Sequence, residues 1–266
     1  MSDIIESDCE EFHIKKNTLL NFIFEFLKEE KSYEEEVYLG EKTVLQFNLN
    51  KSNREVYYNF LLERGIHNES EFFRKLIGNY ANKPKMKREL FIFQESVKKL
   101  TFAIKENLVI HISFQDGKKT QVEPYHMGTS NLEIANYLFC YDLIENNFKN
   151  YRLCNVESVY ITRNKFVFRD KNFIENVKKD FDPFLSQGKI IKVFLTEKGE
   201  KIFRELRVNR PKVLNKKNGI YEFQCSEEKA KRYFSYFLDE AEILEPIHLR
   251  EWFIRKFSNA LTLYQT

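Results

Sequence analysis

Thr43-Val44-Leu45-Gln46-Phe47-Asn48-Leu49, followed by one helical run to Arg64-Gly65 and another from Asn68 to Tyr80, is the stretch on which the fold turns. Apolar Leu45, Phe47 and Leu49 alternate with Val44, Gln46 and Asn48, and period-two alternation predicts a strand with one buried face. Ser52 and Asn53 are candidate N-caps for a helix that carries Val56, Tyr57, Phe60 and Leu61 on one side. Asn68-Glu69-Ser70-Glu71 has the spacing of a capping box. The helix it opens places Phe72, Phe73, Leu76, Ile77 and Tyr80 at helical spacing, and Pro84 limits its length.

Strand, helix, turn and helix in this order resemble the ribbon-helix-helix family over Thr43–Tyr80, most sharply at Gln46-Phe47-Asn48-Leu49. The resemblance implies a strand that pairs with a second copy, so a homodimer, and a two-stranded ribbon lying in the major groove of duplex DNA. Gln46 and Asn48, with Val44 and Lys42, would face outward to the bases, amides being suited to read adenine. Ser70 lies at the amino end of the second helix, where free N–H groups and the helix dipole favour a backbone phosphate. Glu69 and Glu71 at the same end oppose it. The plainer reading makes Gln46 and Asn48 solvated residues of an ordinary hairpin. The fold also serves dimerisation alone.

The 266 residues are 42% hydrophobic with 26 Phe and 14 Tyr, enough for packed cores and too apolar for whole-chain disorder. Net charge is only +3, so a nucleic-acid surface has to come from local clusters. Two exist, Lys83-Lys85-Lys87-Arg88 and Arg204, Arg207, Arg210, Lys212, Lys216 and Lys217, and each alone reads as a solvated face. The four cysteines lack metal-finger spacing and read as reduced thiols of a cytoplasmic protein. A signal-peptide pattern and a membrane-length apolar run are both missing from the sequence. Walker A, HExxH and GxSxG motifs are missing too, so the expectation is a chain that is no enzyme and uses no metal or cofactor.

Residues 12–27 echo 47–62: Phe12 matches Phe47, Ile14 matches Leu49 and Lys16 matches Lys51. Two readings follow. Either a short first strand pairs with the second within one chain, or 12–27 is an unrelated helix packed on the module.

From Glu89 the pattern changes. A helix over Phe93–Glu106 leads to strands at Leu108–Phe114, Thr120–Pro124, Asn136–Asp142, Tyr151–Leu153 and Val156–Thr162, short enough to suggest a small barrel. The stretches ISFQDGKKTQVEPYHM, NYLFCYD and YRLCNVESVYIT, within Gln94–Arg169, resemble the WYL domain, an SH3/Sm-like barrel of bacterial regulators. The name-giving triplet reads Asn136-Tyr137-Leu138, so its first position departs, and Asn155 stands where a second arginine is usual. The resemblance implies binding of nucleic acids or nucleotide-like ligands. Arg152 offers a forked cation for phosphate, Tyr137 and Tyr141 offer stacking faces, and Ser113, His126 and Asn136 offer hydrogen bonds. Against this, Tyr137, Leu138 and Tyr141 suit a barrel core, and Arg152 suits an ion pair with an acid such as Glu123.

The last third alternates strand at Lys189–Leu195, helix at Lys198–Arg207, hairpin around Lys217-Asn218-Gly219, helix at Glu227–Leu238 and strand at Ala241–Leu244, then a final helix from Pro246. This β-α-β-β-α-β order is ferredoxin-like. It resembles the C-terminal extension of WYL proteins, including the run Ile243–Arg250, and implies dimer contacts and gating of the barrel site. The expectation is an α+β multidomain chain: 1–40 a strand-helix segment, 41–84 the ribbon-helix-helix module, 85–170 a linker helix and barrel, 171–266 the extension. Its leading function is transcriptional regulation. The alternatives are an accessory factor that binds single-stranded RNA and stimulates an RNA-targeting CRISPR effector nuclease, and a dimeric scaffold.

Overall fold

A computed structural model describes residues 1–29, 45–131 and 133–265. Lys42 and Val44 lie outside the described residues. Among those described, the chain is α+β, with ten α-helices and two antiparallel sheets. It divides into two compact units, one of residues 1–129 and 134–166, the other of 130–133 and 167–266.

The first unit opens with helices α1 (Ser2–Glu11), α2 (Lys16–Leu27), α3 (Lys51–Glu63), α4 (Glu69–Ala81), α5 (Lys85–Ile92) and α6 (Gln94–Glu106). Phe24 of α2 is the hub of the helical core, its ring edge-on to Tyr57 and Phe60 of α3 and to Phe72 of α4 at 5.7, 6.0 and 6.5 Å. Such edge-to-face contacts add to the burial of the rings themselves. Asn50 caps α3 by accepting from the Asn53 N–H at 2.8 Å, and Asn68 caps α4 by accepting from Glu71 at 3.1 Å. The second cap is the one expected from the sequence. The first sits ahead of the Ser52 and Asn53 candidates.

The alternating segment is only partly as expected. Leu45, Phe47 and Leu49 turn inward and Gln46 and Asn48 stay exposed, with the Phe47 ring 5.3 Å from that of Phe73. Yet Leu45–Asn50 joins no ladder among the described residues. Its backbone is held by side chains of α2 instead. Asn17 accepts from the Asn48 N–H at 2.8 Å, while Asn21 donates to the Asn48 carbonyl at 2.9 Å and accepts from the Asn50 N–H at 2.8 Å. The echo at Phe12–Ile14 is likewise no strand and so pairs with none. It is the tight turn between α1 and α2, with His13 at φ 53° in the left-handed region. The phase of the alternation is legible in the sequence, but a buried helix carrying two asparagines competes with a second strand for the same backbone groups.

Strands β1 (Leu108–Phe114), β2 (Lys119–Ser130), β3 (Ala135–Asp142), β4 (Asn147–Arg152) and β5 (Val156–Lys165) form the first sheet in the order β4-β3-β2-β1-β5. Leu100 and Ala103 of α6 pack with Ile110, Ile112, Val122, Leu138 and Val156 on one side of it. The β3–β4 hairpin is fixed by Asp142, whose carboxylate accepts from the Thr120 hydroxyl at 2.7 Å, from the Tyr151 hydroxyl, and from the backbone N–H groups of Ile144 and Glu145 at 2.8 Å each.

After α7 (Lys171–Lys179), the second unit runs β6 (Ile190–Leu195), α8 (Glu197–Glu205), β7 (Lys212–Lys217), β8 (Ile220–Gln224), α9 (Glu227–Phe234), β9 (Ala241–Glu245) and α10 (Ile247–Gln265). The sheet order is β7-β8-β6-β9, leaving β7 on an edge with every residue exposed. Asn218 and Gly219, both at positive φ, make the two-residue turn between β7 and β8. Gly199 lets α8 approach the loop before β9, since a Cβ there would meet the Glu240 carbonyl oxygen at 2.2 Å.

Asn21 is buried and satisfies two backbone groups of another segment. Replacing it with leucine keeps the branching at Cγ and orphans those groups. Asn21→Leu should therefore cost about 2–4 kcal/mol in urea unfolding, because buried unpaired groups carry their full desolvation penalty. A loss within error of zero would mean that water replaces the amide.

Candidate nucleic-acid interface

Arg152 ends β4, an edge strand, directly across from Tyr137 on β3. The register puts a forked cation and an aromatic face side by side, which is the pairing the sequence singles out. The acid that meets Arg152 is Glu11, the last residue of α1, at 2.6 Å from the guanidinium. Glu123, the sequence candidate, instead accepts from the Tyr125 hydroxyl at 2.7 Å. The other Glu11 oxygen meets Lys85 of α5 at 2.5 Å. One carboxylate thus bridges two cations from different elements. The Arg152 Nε is buried and donates to nothing among the described residues. Burial works against the Arg152 charge, but Cys154, Glu11, Tyr137 and Glu89 outweigh it and hold the guanidinium pKa above its ordinary value.

Asn136, standing where the name-giving tryptophan would be, is buried and fully engaged. Its N–H and its amide donate to Glu89 Oε2 at 2.8 and 2.6 Å, the amide also donates to the Met86 carbonyl at 2.9 Å, and its oxygen accepts from Thr129 at 2.9 Å. It is a tie between α5 and β3. Burial pushes the Glu89 carboxyl above the ordinary range, against the hydrogen bonds from Asn136 and the charge of Arg152.

The other candidates are spread along the sheet. Tyr141 lies four residues beyond Tyr137, roughly 13 Å along the strand, with its ring edge-on to Phe148 at 5.2 Å. Ser113 is half-buried on β1 between Lys119 and Ser158, and His126 is half-buried on β2. Ser70 is exposed in the first turn of α4. Beside that turn a cleft of about 540 Å³ is lined by Lys28, Arg64, His67, Asn68 and Lys75 among others. Arg64 is already paired with Glu29, and Lys75 with Glu71 at 2.9 Å, so these cations are partly neutralised.

Sequence reading misses Glu11 and Glu89, and finds Lys85 only as part of a basic cluster. The basic run Lys83–Arg88 looks like a solvated face. In the structure Arg88 grips the buried Asp8 through two bonds, at 2.6 and 3.0 Å, and Tyr80 donates to the same carboxylate at 2.6 Å. The signal that could have found them is an alternation of basic residues with Met86, Glu89 and Leu90 just after Pro84, the start of an amphipathic helix. In the second basic cluster, Arg210 donates to the carbonyls of Leu206 and Arg204, and Lys216 pairs with Glu200.

Among the described residues no group of three His, Cys, Asp or Glu side chains is placed to hold a metal ion, and no helix is long and apolar enough to cross a membrane.

No family model and no curated protein matches the chain. Among solved structures the chain is similar to a CRISPR Cas-related protein, with a TM-score of 0.76 at 17% identity, over 99% of this chain and 91% of that one. At that identity the likeness is one of fold. A second similar structure, proteasome accessory factor B/C (PafBC) of Arthrobacter aurescens, has a TM-score of 0.33 at 16% identity and covers 66% of this chain and 28% of that one.

The raised Glu89 pKa makes a pH prediction. The folded state holds this proton more tightly than the unfolded state. The stability it contributes is full below the unfolded glutamate pKa and is lost as pH climbs through the raised value. Glu89→Gln should flatten the fall of the urea midpoint as pH rises above the ordinary glutamate range. An unchanged slope would assign that fall to other groups.

Proposed function

We propose that this chain is a non-catalytic accessory protein of the WYL type that binds single-stranded RNA beside β4 and serves a CRISPR-associated system. The observation that carries the binding reading is the cross-strand pair Tyr137–Arg152, an aromatic ring beside a forked cation where β4 ends the sheet. Aromatic faces next to cations suit single strands of any sequence, because each base has a face to stack and each nucleotide a phosphate to neutralise. The CRISPR association is supported by the fold likeness to a CRISPR Cas-related protein along nearly the whole chain. In this reading the first sheet is the SH3/Sm-like WYL barrel and the second unit the ferredoxin-like extension, with an effector nuclease as partner and a homodimer as the working form.

A transcriptional regulator is the second reading, favoured by one observation. Gln46 and Asn48 remain exposed while Leu45, Phe47 and Leu49 pack on the helical core, the phase a base-reading ribbon-helix-helix strand requires.

A competition titration of the full chain against matched duplex DNA, single-stranded DNA and single-stranded RNA separates the two. Preference for single-stranded RNA is the expected outcome. Arg152→Ala should weaken it about tenfold and reduce the salt slope by about 0.7, the loss of one phosphate contact. Duplex preference that collapses in the Gln46→Ala, Asn48→Ala double variant would install the regulator instead. A chain that binds none of the three would leave the scaffold.

A further inference from the structure

Resting on the reading of Arg152 as a nucleic-acid contact, we infer that the Glu11 carboxylate occupies the seat of a backbone phosphate and that an incoming single strand displaces it. Glu11 uses one oxygen for Lys85 and the other for Arg152, at 2.5 and 2.6 Å. That two-oxygen bridge between cations of α5 and β4 is the bridge a phosphodiester makes with its two unesterified oxygens. The guanidinium is engaged by Glu11 through one terminal nitrogen, and its buried Nε has no partner among the described residues, so the fork has a donor that the carboxylate leaves idle. Both pairs keep about a quarter to a third of their side-chain surface exposed, so water and a competing anion can reach them. A phosphate with further charges along its strand competes well for such a seat.

Displacement has a defined path through the first unit. Asp8, one turn before Glu11, stays gripped by Arg88 and Tyr80, so α1 as a whole remains docked. The motion falls on the last turn of α1 and on the His13 turn that leads into α2. The first turn of α2 carries Asn17, which holds the Asn48 N–H at 2.8 Å, and Asn21 follows with its grip on the Asn48 carbonyl and the Asn50 N–H. A phosphate at Arg152 is thereby relayed to the segment that presents Gln46 and Asn48. Glu11 acts as an internal phosphate mimic that keeps the empty site closed and the segment clamped.

The test uses the full chain with a labelled single-stranded RNA oligonucleotide, read by anisotropy, together with amide hydrogen exchange. Glu11→Gln should tighten RNA binding about three- to fivefold, Arg152→Ala should weaken it, and the double variant should show no gain over Arg152→Ala. In the unaltered chain, saturating RNA should speed exchange at the Asn48 and Asn50 amides, and Glu11→Gln should show that faster exchange without RNA. If Arg152→Ala weakens binding while Glu11→Gln binds as the unaltered chain does, the mimic fails and the RNA site stands. Should Arg152→Ala bind normally, or the unaltered chain not bind at all, the mimic falls together with the site. The exchange arm is read on the unaltered chain, so it decides even where Glu11→Gln folds poorly: unchanged exchange on RNA binding overturns the relay.

Discussion

Two adjacent residues of α5 set the register between the helices and the sheet of the first unit. Arg88 reaches into the helical core to the buried carboxylate of Asp8, and Glu89 reaches the other way to Asn136 on the sheet. Neither contact is a source of large net stability, because removing charges from water costs about what their attraction returns. Their weight lies in the cost of error. A slip of α5 by one residue would leave an aspartate, an arginine, a glutamate and an asparagine buried without partners, at several kcal/mol in all, on the order of the stability of a whole domain. The helices and the sheet are therefore registered by polar groups, while the apolar contacts of Phe24, Tyr80 and Leu138 fill the space around them.

This division explains what is legible in the sequence. Wherever an element buries one face against its own neighbours, the residue period betrays it. Leu108–Phe114 reads as a strand and is one, and Asn68 reads as the cap of the second module helix and is one. The β-α-β-β-α-β order of the last third is equally plain, because β6 and β8 alternate buried and outward residues and a two-residue turn joins β7 to β8. The short helix Ser2–Glu11 escapes notice because it is acidic throughout, with Ile5 as its fully buried apolar residue. Its docking depends on Asp8, and a buried aspartate leaves no periodic trace.

The candidate site is half legible for the same reason. Tyr137 and Arg152 stand out by residue type, and the sheet register does bring them together. Asn136 stands out by its place in the triplet, and its hydrogen bonds go to Glu89, Met86 and Thr129. Glu11 lies far from Arg152 in sequence, and a contact of that range cannot be inferred from local pattern. What a single sequence shows is which side chains are capable of a task. Which of them are at liberty to perform it is settled by long-range partners.

The edge strand β7 has a consequence of its own. An exposed edge with free N–H and C=O groups is a template on which any extended peptide can add a further strand, the first step towards ordered aggregates. Here the edge bears Lys212, Lys216 and Lys217, and its register slips between Val213 and Asn215, bending the strand out of line. An approaching strand meets like charges if it is another copy and a crooked template in any case. The basic cluster of this unit thereby keeps a four-stranded sheet from growing, a protection that matters most when many copies of the chain are crowded together.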